Sequence, residues 1–366
     1  MVLTETEKAL ISLLFASLWG EKSEYELTSD VLREANDHTV AGLIADDSLL
    51  PRAASFFQYM YCQDELVGLF KKADIPMAVI KGSAAAVYYP EPYRRSMGDY
   101  DFIVPKDCFA DAWELLERHG YVTKTARSDE VQRDVPFFKH GREYELHYNF
   151  SDFNIDISKY VDEGLRSIET GRIDDYEFPM LPPLANGLVL LTHISHHLHL
   201  GLGLRQIIDW MMYVDRVLND EFWYSTFQPA CNQLGLTTLA ITATALCQNY
   251  LGLSHREWCV EADISLVDEL LEAVLSSGNF GRKHGNGNNV ETVTAAMKSR
   301  GVFYYLQLAG ECNWKLYHRH HFLKPFCWFY QIFRYIRQGI GRGFKLKDDI
   351  GRGSARADLL RKLGIA

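Results

Sequence analysis

Three short stretches carry residue types and spacings that can do chemistry: Lys81-Gly82-Ser83, Asp99-Tyr100-Asp101 and Glu145-Leu146-His147. In an extended strand, side chains at i and i+2 share a face, so Asp99 and Asp101 point together while Tyr100, Phe102 and Val104 point into the core. Two adjacent carboxylates repel, and a hard cation between them removes the repulsion. Mg²⁺ takes one or two carboxylates together with phosphate oxygens, which suits this pair. On a later strand Glu143, Glu145 and His147 alternate with Tyr144, Leu146 and Tyr148, so a third carboxylate can reach the same metal. Gly82 lets backbone amides approach a phosphate, and Ser83 offers a hydroxyl at the start of a helix, where the dipole favours an anion.

These residues need a small mixed sheet to hold them. Met77–Ile80 reads as a strand, Ala84–Tyr89 as a helix stopped by Pro90 and Pro92, Asp99–Val104 as a strand closed by Pro105, and Asp107–Arg118 as a helix. Further strands are predicted at 121–125, 135–139 and 143–148. Around this unit the apolar spacing is helical. The expected fold class is therefore α+β, a small mixed-sheet core embedded in a largely helical protein. The expected boundaries are an N-terminal helical region over 1–75, the α+β core over 76–157 and a helical domain over 158–277. A flexible Gly/Asn-rich loop over 278–294 and a C-terminal helical region with a basic tail over 295–366 complete the chain.

Strand, Gly-Ser turn, helix, Asp-x-Asp strand and a later strand carboxylate resemble the DNA polymerase beta-type nucleotidyltransferase superfamily. Within it, Lys81-Gly82-Ser83-Ala84-Ala85, Tyr89-Pro90-Glu91-Pro92, Arg95-Ser96-Met97-Gly98-Asp99-Tyr100-Asp101 and Glu145-Leu146-His147 resemble uncharacterised bacterial nucleotidyltransferase-like proteins. The stretch 201–210 resembles the helical segment that follows the core in that group, and the likeness runs from about Pro76 to Val217. The resemblance implies Gly82 and Ser83 on a triphosphate, Asp99 and Asp101 as metal ligands, and Glu145 as the third carboxylate. Lys81, Arg95 and Arg205 join Gly82 and Ser83 as candidate nucleotide-binding residues. The implied activity is metal-dependent transfer of a nucleoside monophosphate from an NTP to a hydroxyl acceptor, with two Mg²⁺ ions and release of pyrophosphate. The acceptor is a small molecule, a protein or an RNA. One departure is the gap between Ser83 and Asp99, longer than in small nucleotidyltransferases, with the excess in the Pro90–Met97 loop.

Two other readings come from different classes. The first is a non-catalytic, antitoxin-like interaction protein that retains the fold. The second is a helical metal phosphohydrolase centred on His193, His196, His197 and His199, where positions one turn apart can offer paired ligands. A helical histidine that packs or hydrogen-bonds is the commoner case.

Composition narrows the class. With 366 residues, 47% apolar and 23% charged, the chain is long enough to bury a core and is not disordered. A net charge of −10 argues against wrapping DNA. Seven cysteines without a C-x-x-C pair fit reduced thiols, and the polar N-terminus does not read as a secretory signal. No window reaches the roughly 18 apolar residues of a membrane span. A cytoplasmic location is expected. From Cys312 onward twelve Lys/Arg stand against three Asp/Glu, net +9, which leaves −19 for the rest. The tail interleaves Phe322, Phe326, Trp328, Phe329, Phe333 and Tyr335 with Lys324, Arg334, Arg337 and Arg342, and is expected to dock its aromatics on the acidic body.

Overall fold

Helices open the chain: α1 (Glu5–Trp19), α2 (Ser29–Asp37), α3 (Ala41–Ile44) and α4 (Leu49–Lys72). Thr4 and Glu7 form a reciprocal capping box that satisfies the free amides at the start of α1. This computed structural model describes residues 2–46, 49–125, 134–152, 155–284, 294–295, 297–298, 301–314, 316–317, 320–340 and 346–366.

The sheet follows. Strand β1 (Ala78–Val79) runs into α5 (Gly82–Ala86), then come β2 (Tyr100–Ile103), α6 (Phe109–Arg118), β3 (Asp134–Lys139) and β4 (Arg142–His147). A small hairpin, β5 (Ser151–Asp152) and β6 (Ile155–Asp156), precedes α7 (Ser158–Leu165). Beyond α7 lie β7 (Glu169–Ile173) and β8 (Tyr176–Met180). Among the described residues the main sheet has the order β3-β4-β2-β1-β8-β7 and is mixed: β1 pairs antiparallel with β2 and parallel with β8, and β2 pairs parallel with β4.

Two findings differ from the sequence reading here. The strands of the core do not end at 157, because β8 lies beside β1 at the middle of the sheet and brings β7 with it. The expected strand at 121–125 is reduced to one bridge between Val122 and Phe138.

The sheet has two covered faces. Val79, Tyr100, Phe102, Tyr144 and Leu146 pack with Phe56, Tyr59 and Phe70 of α4 and Trp113 and Leu116 of α6. Ala78, Ile80 and Ile103 face the larger core built by α8 (Pro183–Leu200), α9 (Leu204–Arg216) and the helices after them. Asn186 of α8 donates to the Ala84 carbonyl at 3.1 Å, which ties this helical layer to α5. After α9 come Asp220–Phe222, Gln228–Leu234, Thr237–Leu251 and Ile264–Ser277 as helices.

The expected flexible loop is packed where it is described. Residues 279–284 form a short 3₁₀ segment in which Asn279 is buried and accepts a hydrogen bond from Gln206 at 2.9 Å. Residues 285–293 of that loop lie outside the described residues.

The tail divides. Its last helix, Leu346–Lys362, brings Leu359 and Leu360, with Leu363 and Ile365 just beyond, into the main core. The phenylalanine row does not dock: Phe322, Phe326, Phe329 and Phe333 are all exposed. The expected aromatic contact fails because the helix Cys327–Ile340 uses its other side to pack on Val302–Asn313. No helix among the described residues is long and apolar enough to cross a membrane.

Candidate functional site

The register of one strand pair brings the acidic residues together. In the parallel pairing of β2 with β4, Asp101 stands opposite Glu145 and Ile103 opposite His147. Directly opposed residues share a face, so Asp101, Glu145 and His147 emerge on one side and Tyr100 and Tyr144 on the other. The tyrosines fix that register. Tyr59 stacks on Tyr100 at 4.1 Å and Tyr100 on Tyr144 at 4.4 Å, and the Tyr59 hydroxyl donates to the Asp99 carbonyl at 3.2 Å. A slip of one residue would exchange the acid face for the aromatic one.

The turn after β1 supplies the facing groups. Lys81 has φ +56° and ψ −136°, a conformation that costs a non-glycine residue about 1–3 kcal/mol. Gly82 follows at φ +32°, and a Cβ there would meet the Tyr59 hydroxyl at 2.6 Å. The strained turn aims Lys81 at the acids: its Nζ donates to Asp101 Oδ1 at 2.6 Å, with both side chains buried. His147 Nε2 lies 3.0 Å from the same oxygen and 3.4 Å from Glu145 Oε2. The other ring nitrogen of His147, Nδ1, is buried and has no hydrogen-bond partner.

The electrostatics follow from this crowding. Burial raises the Asp101 carboxyl, but the Lys81 ammonium and the His147 ring outweigh it and hold the group far below the usual carboxylate range. Burial, reinforced by Asp101, raises Glu145, and it raises Asp99 in the same way. Burial opposes charge on His147, yet its bonds to Asp101 and Glu145 raise it overall. The site therefore holds a firmly ionised carboxylate between two carboxyls that accept protons more readily.

A cavity of about 610 Å³ opens above these groups. That size is ordinary for a ligand the size of a nucleotide. Lys81, Gly82, Arg95, Asp99, Asp101, Glu145 and Arg205 all line it, so seven of the eight residues singled out from the sequence converge. Ser83 does not line it. Its side chain is fully buried and its hydroxyl donates to Gln63 on α4 at 2.6 Å.

The two arginines differ in their commitments. Arg95 makes a two-pronged contact with Asp209, Nε to Oδ1 and Nη2 to Oδ2, each at 2.7 Å, and Tyr89 donates to Oδ1 at 2.7 Å. Arg205, one helical turn before Asp209, does not pair with it, because Arg95 occupies both carboxylate oxygens. Arg205 has a single described hydrogen bond, Nη1 to the Ser96 carbonyl at 3.4 Å, and its buried Nε has none. Burial and the neighbouring Arg95 lower its pKa, as expected for a cation in want of an anion.

On the far wall, His193 and His197 bond to each other through Nε2 at 2.9 Å, and burial holds both rings well below the ordinary histidine range. Among the described residues the group able to hold a metal is Asp101, Glu145 and His147, so the histidine helix has no third ligand of its own. Sequence reasoning missed Tyr59 and Gln63, which reach the site from α4 and carry no local motif, and gave no site role to Tyr89 and Asp209 although both lie in stretches that carried the resemblance.

The family described as uncharacterised nucleotidyltransferase matches residues 54–252, from α4 through the helix Thr237–Leu251, more than half of the chain. The protein belongs to this family. Family membership thus takes in α4 and the helices past α9 as well as the sheet, a wider span than the resemblance from about Pro76 to Val217. An antigenic nucleotidyltransferase-like protein from Paracoccidioides brasiliensis, known from its crystal structure, is similar at 14% identity with a TM-score of 0.34, over 60% of this chain and 99% of its own. No curated protein matches the chain.

Proposed function

We propose that this family member transfers a nucleoside monophosphate from an NTP to a hydroxyl acceptor and releases pyrophosphate. The observation that carries the reading is the β2–β4 register, which sets Asp101 against Glu145 on the floor of a polar cavity that Asp99 also lines. Carboxylate oxygens suit a hard cation, and His147 Nε2, 3.0 Å from Asp101 Oδ1 and 3.4 Å from Glu145 Oε2, orients both acids. Asp99, Asp101 and Glu145 would hold Mg²⁺, two ions in the full arrangement. The chemistry these would supply is neutralisation of the leaving pyrophosphate and a more acidic acceptor hydroxyl.

The remaining roles fall to the chain's own side chains. The acceptor oxygen bonds to the α-phosphorus while the bond from that phosphorus to the bridging oxygen breaks, and pyrophosphate leaves with the electron pair. Glu145, whose carboxyl is raised, takes the acceptor proton. Arg205, lacking a carboxylate partner, binds phosphate oxygens, and Arg95 is held beside it by Asp209. Lys81 neutralises Asp101 before substrate arrives and turns to phosphate when the nucleotide enters. Ser83 supports the Gly82 turn through Gln63. The acceptor is a small molecule, a protein or an RNA. Dependence on NTP and the reduced thiols fit action in the cytoplasm.

The test is incubation with each common NTP, labelled at the α-phosphate, with Mg²⁺ and with protein, RNA and small-molecule acceptors. Label transfer with stoichiometric pyrophosphate, absent in Asp101→Asn, is the expected result. Failure to release pyrophosphate from any NTP under all these conditions overturns the proposal.

A further inference from the structure

The most prominent surface feature away from the cavity is the phenylalanine row of the tail. Phe322, Phe326, Phe329 and Phe333 are 76, 58, 61 and 60% exposed and recur at intervals of four, three and four. That spacing places Phe326, Phe329 and Phe333 along one side of the helix Cys327–Ile340, with Phe322 exposed in the 3₁₀ turn His321–Phe326 before it. Phe303, also exposed, extends the face sideways: its ring lies 5.9 Å from Trp328, which lies 5.8 Å from Phe329.

The opposite side of the helix is firmly seated. Cys327 and Gln331 are buried, and a Cβ on Gly310 would meet the Cys327 carbonyl at 2.0 Å, so the two helices touch through glycine. Trp314 stacks on Tyr330 at 5.0 Å. The row therefore faces outward because the inward side is already filled.

Charge decides what meets it. From Cys312 to Lys347 the sequence has eight Lys/Arg and no Asp/Glu, while the chain before Cys312 carries net −19. An anionic surface is attracted by this segment and repelled by the acidic chain before it. Arg337 follows Phe333 by one turn and is exposed, and Lys324 flanks the start of the row. The four phenylalanines carry no polar atom, whereas Trp328, Tyr330 and Tyr335, with polar tips, lie half-buried at the margins. Apolar rings along one side of a helix with cations beside them are the features of a helix lying in the plane of a bilayer surface. Stacking of RNA bases would call for rings set apart on a platform with hydrogen-bond donors between them.

We propose that this face docks the protein on an anionic membrane surface, the phenylalanines entering the acyl boundary and the Lys/Arg side chains meeting lipid phosphates. The experiment is co-sedimentation of the full chain with phosphatidylcholine vesicles made with or without phosphatidylglycerol, across a salt series. Expected is binding to the anionic vesicles that weakens with salt. Phe326→Ser/Phe329→Ser/Phe333→Ser should reduce binding about tenfold or more, and Arg334→Gln/Arg337→Gln several-fold, with circular dichroism unchanged in both. Wild-type protein that ignores anionic vesicles overturns the proposal. So does a triple variant that binds as well as wild type. Two further outcomes also overturn it: salt-sensitive binding to single-stranded RNA without vesicle binding, and a wild-type dimer that the triple variant turns into a monomer without vesicle binding.

Discussion

Lys81 Nζ and Asp101 Oδ1 stand 2.6 Å apart with both side chains buried, so the acid at the centre of the site already has a counter-charge of its own. Removing one member of a buried pair leaves the other uncompensated, at about 3–5 kcal/mol. Asp101→Asn is thus expected to abolish transfer and also to lower stability by that order. Asp99→Asn should abolish transfer with stability unchanged or slightly raised, because burial and Asp101 already disfavour charge at Asp99. Urea unfolding and a transfer assay on both variants check this. Transfer within a few-fold of wild type in both would remove the two residues from the site.

Ser83 and Arg205 separate support from binding. Ser83→Ala should leave the KM for NTP unchanged and cost about 1–3 kcal/mol of stability, since Gln63 loses its buried donor. Arg205→Gln should raise the KM for NTP about tenfold or more, because a charged contact to phosphate is lost. A Ser83→Ala enzyme with a strongly raised KM and normal stability would return the hydroxyl to the phosphate.

The candidate site was partly legible in the sequence because Asp101 and Glu145 sit on strands, where period two fixes which residues share a face, while Asp99 lies one residue before its strand. Asp101 beside Glu145 follows from two local patterns once their strands pair in register. The hairpin β7–β8 was obscured by its own composition. Gly171, Ile173, Phe178 and Met180 alternate inward, but Pro179, with Pro182 and Pro183 just beyond, argues against a strand in the sequence. Its turn needs Asp174 at φ +51°, a conformation that Asp tolerates and that spacing does not announce. Ser83 followed a motif that places a hydroxyl by sequence position, while its orientation was set by Gln63 on another helix. The tail aromatics showed their periodicity but not which side the helix Val302–Asn313 would occupy.

Arg95 and Asp209 lock the Pro90–Met97 loop to α9 through a buried pair that Tyr89 completes. Asp209→Ala should cost about 3–5 kcal/mol, while Arg95→Met/Asp209→Leu should recover much of that loss, since an apolar pair carries no desolvation cost. Transfer should stay impaired in the double variant, because Arg95 also lines the cavity. Thermal melts of the singles and the double form the test. Losses that simply add would show that the two side chains do not act as a pair.

His197 gives the clearest dependence of stability on pH. Burial is the main cause of its lowered pKa, helped by charge on His196 and Arg205, so the native ring stays neutral where a free histidine takes up a proton. The native state then binds fewer protons than the unfolded chain below the ordinary value of 6.5. Stability from this group is therefore complete above pH 6.5 and falls as pH drops through it, by up to about 1.4 kcal/mol per pH unit. His193, bonded to it at 2.9 Å and lowered for the same reason, acts in the same direction. Unfolding midpoints in urea at pH 7.5 and pH 5.5, taken as roughly one unit either side of the titration, should show a loss that His197→Gln reduces. The variant will be less stable at pH 7.5, since Gln206 packs against the native ring, so the slope with pH and not the midpoint is the readout. An unchanged slope in His197→Gln would mean that the ring is charged in the folded protein or that other groups dominate its acid sensitivity.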